Sequence, residues 1–84
     1  MQTCMITFRS VTPAQRGETL LRREGIACTL QRTPKALADQ GCGYSLRLNC
    51  DRLGEAIELL RRQGIAFRKA YRITESGKPG EILL

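Results

Sequence analysis

A single cysteine between two glycines is the residue of this chain with the clearest chemical potential. Cys42 stands in the stretch Gly41-Cys42-Gly43, directly before the alternating run YSLRL at 44–48. The two glycines leave the backbone around the sulfur bare, so another molecule can reach the thiol. A free thiol has a pKa of roughly 8.5, and a nearby cation or helix N-terminus increases its thiolate fraction. Cys42 is therefore a candidate nucleophile, and the alternative is a small apolar residue in a bent loop.

The composition excludes several kinds of active site. The chain has no histidine, which removes Cys–His and Ser–His nucleophile pairs and every metal site that contains histidine. The sequence also lacks a paired-carboxylate site and a glycine loop of the kind that binds phosphate. We therefore expect a protein that is not an enzyme in the usual sense and that needs no cofactor.

Size and charge indicate a small cytoplasmic protein. The chain has 84 residues, which is enough for one domain. It contains no run near the ~20 apolar residues of a membrane span and no signal-peptide pattern, so we expect no membrane contact. The formal charge of +6 favours anionic partners, although an arginine-rich helix surface gives the same charge.

The four cysteines are expected as thiols, because disulfides are rare in the cytoplasm. Cys4, Cys28 and Cys50 all fall toward the sheet edge opposite Cys42 in the topology predicted below. We assign these three to core packing, with a cluster that binds a soft metal as the alternative.

A repeated octapeptide divides the chain into two similar halves. LLRREGIA at 20–27 returns as LLRRQGIA at 59–66, with seven of eight positions identical. Each copy comes at the end of an amphipathic stretch and before an extended one. Two βαβ-like halves in one domain explain this pattern better than a solenoid, which needs more copies of its repeat.

Periodicity and capping residues place the elements. Thr12, with Pro13 in the first helical position, predicts the start of the first helix, and Asn49 or Asp51 predicts the start of the second. The predicted elements are strand one at 3–8, a helix from 12 to Gly25, strand two at 26–31, a loop at 33–41, strand three at 44–48, a helix ended by Gly64 and strand four at 65–73.

The order βαββαβ predicts an α+β domain at 1–73 with the ferredoxin-like plait. In this fold a four-stranded antiparallel sheet carries both helices on one face. The remaining residues, 74–84, form a C-terminal tail that is either flexible or pairs with a neighbour.

This topology brings Cys42 to the start of the first helix. Strands one and three are antiparallel neighbours, so the start of strand three lies beside the end of strand one. We therefore expect Cys42 to lie close to residues 9–16, where the helix N-terminus, Arg16 and Arg9 favour the thiolate.

The sequence resembles the small bacterial selenium/sulfur carrier protein-like domains over nearly its whole length. The resemblance rests on ITFRS at the first strand, LLRREGI at the end of the first helix, GCGYSLRL at the third strand, and AIELLRRQGI followed by YRI. It implies that Cys42, in the Cys42-Gly43 pair, carries sulfur or selenium. It further implies that a cysteine desulfurase or a selenium-handling protein is the donor and that Ser10 is a supporting residue near the same edge.

The resulting hypothesis is a carrier that accepts a persulfide or perselenide on Cys42 and passes it to an unidentified acceptor protein. Gly41 and Gly43 expose the backbone around the sulfur in this interpretation, and Ser10 and Arg16 support the site.

A non-catalytic ferredoxin-like binding or regulatory module is the alternative, with a small ligand, a protein partner or weakly bound RNA. Its strand edges could form a homodimer through Met5 or the terminal ILL. Sheets that bind RNA stack bases on aromatic side chains of strands one and three, and the outward positions here carry none. We therefore do not expect nucleic acid as a partner. The outward positions on strands one and three are Thr3, Met5, Thr7, Gly43, Ser45 and Arg47.

Overall fold

The computed structural model describes residues 2–33, 43–74 and 79–82 of the chain. Gly41 and Cys42 lie outside the described residues. The elements are, in chain order, β1 (Thr3–Phe8), α1 (Val11–Arg23), β2 (Cys28–Arg32), β3 (Tyr44–Asn49), a 3₁₀ turn (Cys50–Arg52), α2 (Leu53–Arg62), β4 (Ala70–Ile73) and β5 (Pro79–Ile82).

The sheet confirms the α+β class and the central pairing predicted from the sequence. Its strand order is β2-β3-β1-β4-β5, and every neighbouring pair is antiparallel. On β1, Phe8 lies opposite Tyr44 and Thr3 lies opposite Asn49 of β3. The start of β3 is therefore beside the end of β1.

The predicted count of four strands is wrong, because part of the 74–84 tail adds a fifth. β5 pairs with β4 at one edge of the sheet, and the Lys69 ammonium lies 3.5 Å from the Glu81 carboxylate next to it. The segment PGEI contains two residues that are depleted in strands, so its sequence gives no strand signal. Proline is tolerated here because the strand lies at the sheet edge.

The sequence predicts a fourth strand from residue 65, but β4 begins at Ala70. The first apolar residues of the predicted strand instead pack against the end of α2 and in the core. Ile65 is buried and its backbone N–H donates to the Leu60 carbonyl at 2.9 Å. The ring of Phe67 lies under the Arg61 guanidinium, 5.8 Å from the ring centroid to Cζ. Regular pairing consequently starts at Ala70.

The first helix begins earlier than predicted. Ser10 is its N-cap residue, with extended backbone (φ −146°, ψ 173°), and its side chain makes no capping hydrogen bond. The predicted cap at Thr12 is therefore wrong, and Thr12 lies in the first turn. Pro13 is compatible with this start because the N–H groups of the first turn have no acceptor within the helix.

The second helix is preceded by a short capped turn. The Asn49 side chain accepts a hydrogen bond of 2.9 Å from the backbone N–H of Asp51. Asn49 thus caps the 3₁₀ turn, while α2 begins at Leu53 after the N-cap residue Arg52. The prediction that Asn49 or Asp51 caps the second helix is therefore wrong.

The repeated octapeptide is a helix-ending motif used twice. Gly25 (φ +82°) and Gly64 (φ +68°) take the left-handed conformation that glycine adopts without strain. In the first copy the backbone N–H of Ile26 donates a hydrogen bond of 2.8 Å to the Leu21 carbonyl. In the second copy the N–H of Ile65 donates to the Leu60 carbonyl in the same way. Both helices therefore end in a Schellman motif whose isoleucine enters the core.

One core cluster joins both helices to the same face of the sheet. Ile6, Phe8 and Leu46 contribute from the strands, while Leu21 and Leu60 contribute from α1 and α2. A small second cluster, Met5 and Tyr71 with the partly buried Ile73, lies apart from it. None of the described helices is long and apolar enough to cross a bilayer.

A disulfide bond between Cys4 and Cys50 ties β1 to the turn that follows β3. The Cα atoms of the two cysteines are 5.0 Å apart, within the usual range for a disulfide. The expectation that Cys4 and Cys50 are thiols is therefore wrong. The register places Cys4 opposite Leu48, and the chain turns after Asn49 so that the Cys50 backbone N–H bonds to the Gln2 carbonyl. The disulfide therefore joins β1 diagonally to the start of the turn, not two residues that face each other across the strands.

We predict that this disulfide makes a large contribution to stability. The bonded cysteines are 46 residues apart, and closing a loop of that length stabilises the folded state by about 4 kcal/mol in the chain-entropy treatment. Urea denaturation followed by circular dichroism, on a Cys42→Ser background, should show this loss when a phosphine reductant is added.

The matched control is the Cys4→Ala/Cys50→Ala double variant, whose unfolding should not respond to reductant. Identical unfolding of the Cys42→Ser protein with and without reductant would show that the two cysteines are not bonded in solution.

Candidate functional site

Gly43 is the described residue adjacent to Cys42, and it lies in close contact with two strand ends. The Gly43 carbonyl accepts a hydrogen bond of 3.0 Å from the backbone N–H of Thr33. A Cβ placed on Gly43 would lie 3.1 Å from the Phe8 carbonyl oxygen and 3.3 Å from the Thr33 hydroxyl. A side chain at residue 43 would therefore crowd the end of β1 and Thr33, which favours glycine after the cysteine.

The N-terminus of α1 comes two residues after the strand end that contacts Gly43. Phe8 ends β1, Arg9 comes next, and Ser10 is the N-cap. The Ser10 hydroxyl is not used for capping, so no side chain neutralises the positive end of the helix dipole at this point. An anion at this edge is stabilised by the open helix end.

Arg16, predicted as a supporting residue, is exposed in the second turn of α1. It lines a surface groove of about 360 Å³ between α1 and the segment after α2, together with Thr12, Gln63 and Ile65. None of the residues that contact Gly43 is in this groove. A direct role for Arg16 at Cys42 stays a prediction.

Arg32 and Thr33 were not found from the sequence. Arg32 is the last residue of β2, and Thr33 follows it. Arg32 lies opposite Tyr44, the residue after Gly43. The register between β2 and β3 is the signal that could have revealed them. The sequence between the two strands contains no Asn-Gly or Asp-Gly hairpin signature of defined length, so this register could not be derived from it.

Arg9 and Arg32 add positive charge to the edge that holds Gly43. Both side chains are exposed, and neither forms an ion pair with an acidic residue of the described chain. Four described acidic residues are instead paired elsewhere: Glu18, Glu55, Glu58 and Glu81. The strand edge beside Gly43 is therefore electropositive.

Two hydroxyl groups near Gly43 have no hydrogen-bond partner. They belong to Thr33 and Ser45, and both oxygen atoms are buried. By contrast, the Thr7 hydroxyl on the neighbouring strand is satisfied: it donates to the Lys69 carbonyl at 3.2 Å and accepts from the Lys69 N–H at 3.1 Å. A buried hydroxyl without a partner costs about 1–3 kcal/mol, so each unpartnered one needs an explanation.

Cys28 is the free thiol of the described residues, and it is buried. Its Sγ lies 3.9 Å from the Glu18 carbonyl oxygen. Burial raises the pKa of the Cys28 thiol, and the nearby Arg22 guanidinium offsets only part of the rise. Cys28 is therefore protonated at neutral pH and shielded from solvent, as the core-packing assignment predicted.

The alternative of a soft-metal cluster gains no support from the described residues. Cys4 and Cys28 do lie toward the same end of the sheet, each opposite Leu48 on β3. Within 2–33, 43–74 and 79–82, however, no three histidine, cysteine or acidic side chains come together in a group that could hold a metal ion.

We predict that Gly43→Ala destabilises the protein. The added methyl group would meet the Phe8 carbonyl oxygen at 3.1 Å, and because this atom belongs to the backbone the strand end must shift to accommodate it. Overpacking of this kind typically costs about 1–3 kcal/mol. Urea denaturation should show the loss.

Gly54→Ala provides the matched control. Its Cβ would meet nothing within 4 Å, and alanine is favoured over glycine in a helix. This variant should be as stable as the wild type or more so. Equal stability of the Gly43→Ala and wild-type proteins would contradict the close contact.

Comparison with models of known protein families gives a match over most of the chain. A family model described as "Putative Se/S carrier protein-like" matches residues 3–72, from the start of β1 into β4, including Cys42 and Gly43. No curated protein matches the chain, and no solved structure matches it. Because the family match spans most of the chain, this protein belongs to the selenium/sulfur carrier protein-like family.

Proposed function

We propose that the protein is a sulfur or selenium carrier that accepts a persulfide or perselenide on Cys42. Family membership is the observation that carries this proposal. The position of Gly43 supports it, because the residue bonded to Cys42 lies against the end of β1, two residues before the N-cap of α1.

The charge around Gly43 suits a thiol that must ionise near neutral pH. The open N-terminus of α1 favours an anion by about 0.3–1 kcal/mol, and the Arg9 and Arg32 guanidinium groups act in the same direction. A modest decrease of the Cys42 pKa is what sulfur transfer needs. The best attacking thiol has a pKa near the ambient pH, since nucleophilicity falls as the pKa falls.

The loading step is an exchange of sulfur without net oxidation. The Cys42 thiolate attacks the outer sulfur of a donor persulfide, a new S–S bond forms at Cys42, and the donor S–S bond breaks. The donor thiolate leaves with the electron pair of the broken bond and takes up a proton. Delivery repeats this exchange with a thiol of the acceptor protein, and a perselenide follows the same scheme.

The proposal includes the setting of the carrier. We infer that residues 1–73 form a ferredoxin-like plait to which β5 is added. We also infer that the protein works in the cytoplasm, where its Cys4–Cys50 disulfide is an exception to the reduced state usual for that compartment. A cysteine desulfurase or a selenium-handling protein is the proposed donor. The carrier turns over only together with its partners, so no independent enzymatic activity is assigned to it.

We predict that Cys42 gains one sulfur atom from a cysteine desulfurase. After incubation of the full chain with the desulfurase and cysteine, intact-mass spectrometry should show a gain of about 32 Da. Cys42→Ser should abolish this gain because the attacking thiolate is lost.

Cys28→Ser is the control for this experiment, and it should load like the wild type, since the Cys28 thiol is buried and protonated. A gain of equal yield in Cys42→Ser would refute the proposal. No gain in any variant, with the desulfurase shown to be active on another acceptor, would favour the binding-module alternative.

A further inference from the structure

The groove between α1 and the segment after α2 has a positively charged lining. Its volume is about 360 Å³, and its apolar lining consists of the buried Leu20 and Ile65. Arg16 and Arg23 line it as well, and both are exposed. We call this surface the basic groove, because its other lining residues are uncharged: Thr12, Gln15, Thr19 and Gln63.

The two arginines of the basic groove form no ion pair with the described part of the chain, residues 2–33, 43–74 and 79–82. The helix sequence explains this. Side chains four residues apart lie side by side on a helix, and the residues four positions before Arg16 and Arg23 are Thr12 and Thr19. Both guanidinium groups are therefore available to an anion from another molecule.

The internal repeat supplies a second helix end with which the basic groove can be compared. Carried back along the helices, the alignment of the two octapeptides sets Arg23 against Arg62 and Thr19 against Glu58. In α2 the Glu58 carboxylate pairs with the Arg62 guanidinium at 2.6 Å. The threonine of α1 has no charge to offer, so its arginine is not neutralised.

Two further differences between the copies have the same sign. Arg16 corresponds to Glu55, which pairs with Arg52 at 3.1 Å. Gln63 is the one octapeptide position that differs, and it places a neutral amide in the groove where the first copy has Glu24. At each of these positions the basic groove carries a neutral or cationic group and the other copy carries a carboxylate.

We propose that the basic groove is a docking site for an acidic segment of a partner protein. Arg16 and Arg23 are two helical turns apart, about 10 Å along the axis, a spacing that suits a chain with several carboxylates better than one small anion. The threonine and glutamine side chains of the groove can bond to the backbone of such a segment.

Nucleic acid fits this groove less well than a protein segment. Among the described residues that line it none is aromatic, so bases would find no ring on which to stack. The inference goes beyond the proposed function, because the groove binds without help from the Cys42 thiol. In a carrier, the acidic segment would belong to the donor or the acceptor.

The test is fluorescence anisotropy of the full chain with a fluorescein-labelled peptide of alternating glutamate and leucine residues. Arg16→Gln/Arg23→Gln should weaken binding about tenfold, because two charge pairs are lost. Thr19→Glu should weaken binding too, since the new carboxylate can pair with Arg23 as Glu58 pairs with Arg62. An added pair of this kind supports the helix, so urea denaturation should show stability equal to the wild type or higher.

The matched control is Arg52→Gln/Arg62→Gln, which removes the same charge from the corresponding part of α2. Both arginines are already paired within the helix, so the affinity for the peptide should change by less than about twofold. Equal weakening in the two double variants would show that net charge alone governs binding and would overturn the inference.

Two other results would also overturn it. One is an affinity for the glutamate peptide no higher than for a glutamine–leucine peptide of the same length. The other is a single-stranded DNA oligonucleotide that binds more tightly than the peptide and loses its affinity with the same two arginines, which would make nucleic acid the occupant of the groove.

Failure of this inference is distinguishable from failure of the proposed function. Cys42→Ser should bind the peptide like the wild type, since the thiol takes no part. Peptide binding without sulfur loading of Cys42 supports the groove and counts against the carrier. Sulfur loading without peptide binding refutes the groove and leaves the carrier in place.

Discussion

The register between β1 and β3 is the constraint on which the rest of the structure depends. It brings the Phe8 carbonyl against Gly43 at one end of the sheet. At the other end it brings β1 beside the turn that holds Cys50, to which Cys4 is bonded. A shift of one residue would reverse the faces of every side chain on β1 and remove Ile6 and Phe8 from the core. The same pairing therefore secures the hydrophobic interior and the position of the candidate site.

The packing of α1 against the sheet fixes the N-terminus of this helix relative to β1 and β3. Gly17 lies where α1 approaches the sheet most closely, because a Cβ at this residue would be 3.2 Å from Leu46 and Leu60 and 3.3 Å from Phe8. The helix is thus held against the two strands that form the site. Its first turn follows β1 after the short connection at Arg9 and Ser10, which keeps the helix dipole directed at the same edge.

Much of the fold could be predicted because it depends on local patterns. The alternation of β1 and β3 and the two Gly-Ile helix ends are encoded within a few residues each. The helix ends agree with the structure, and the strand residues expected to face the core are inside, but Met5, Thr7 and Ser45, expected to face outward, are buried as well. The position of Cys4, Cys28 and Cys50 toward the end of the sheet away from Gly43 followed from topology. The bond between Cys4 and Cys50 did not, because a preference for reduced cysteines was drawn from an expected compartment rather than from geometry.

The unpredicted features depend on contacts between distant segments. Ser10 and Thr12 are both good capping residues, and only the end of β1 at Phe8 decides between them. β5 has almost no intrinsic strand preference and forms because β4 offers it an edge. The contact between Thr33 and Gly43 could not be predicted locally, because it results from the register of β2 against β3.

The length of β3 has a consequence for how long cargo would stay on the protein. Tyr44–Asn49 span about 20 Å, so the strand separates Gly43 from the disulfide and from Cys28, which lie toward its far end. Sulfur held next to Gly43 would find no internal thiol able to discharge it as hydrogen sulfide. If Cys42 carries sulfur as proposed, the lifetime of the persulfide would then be set by reaction with thiols of other molecules.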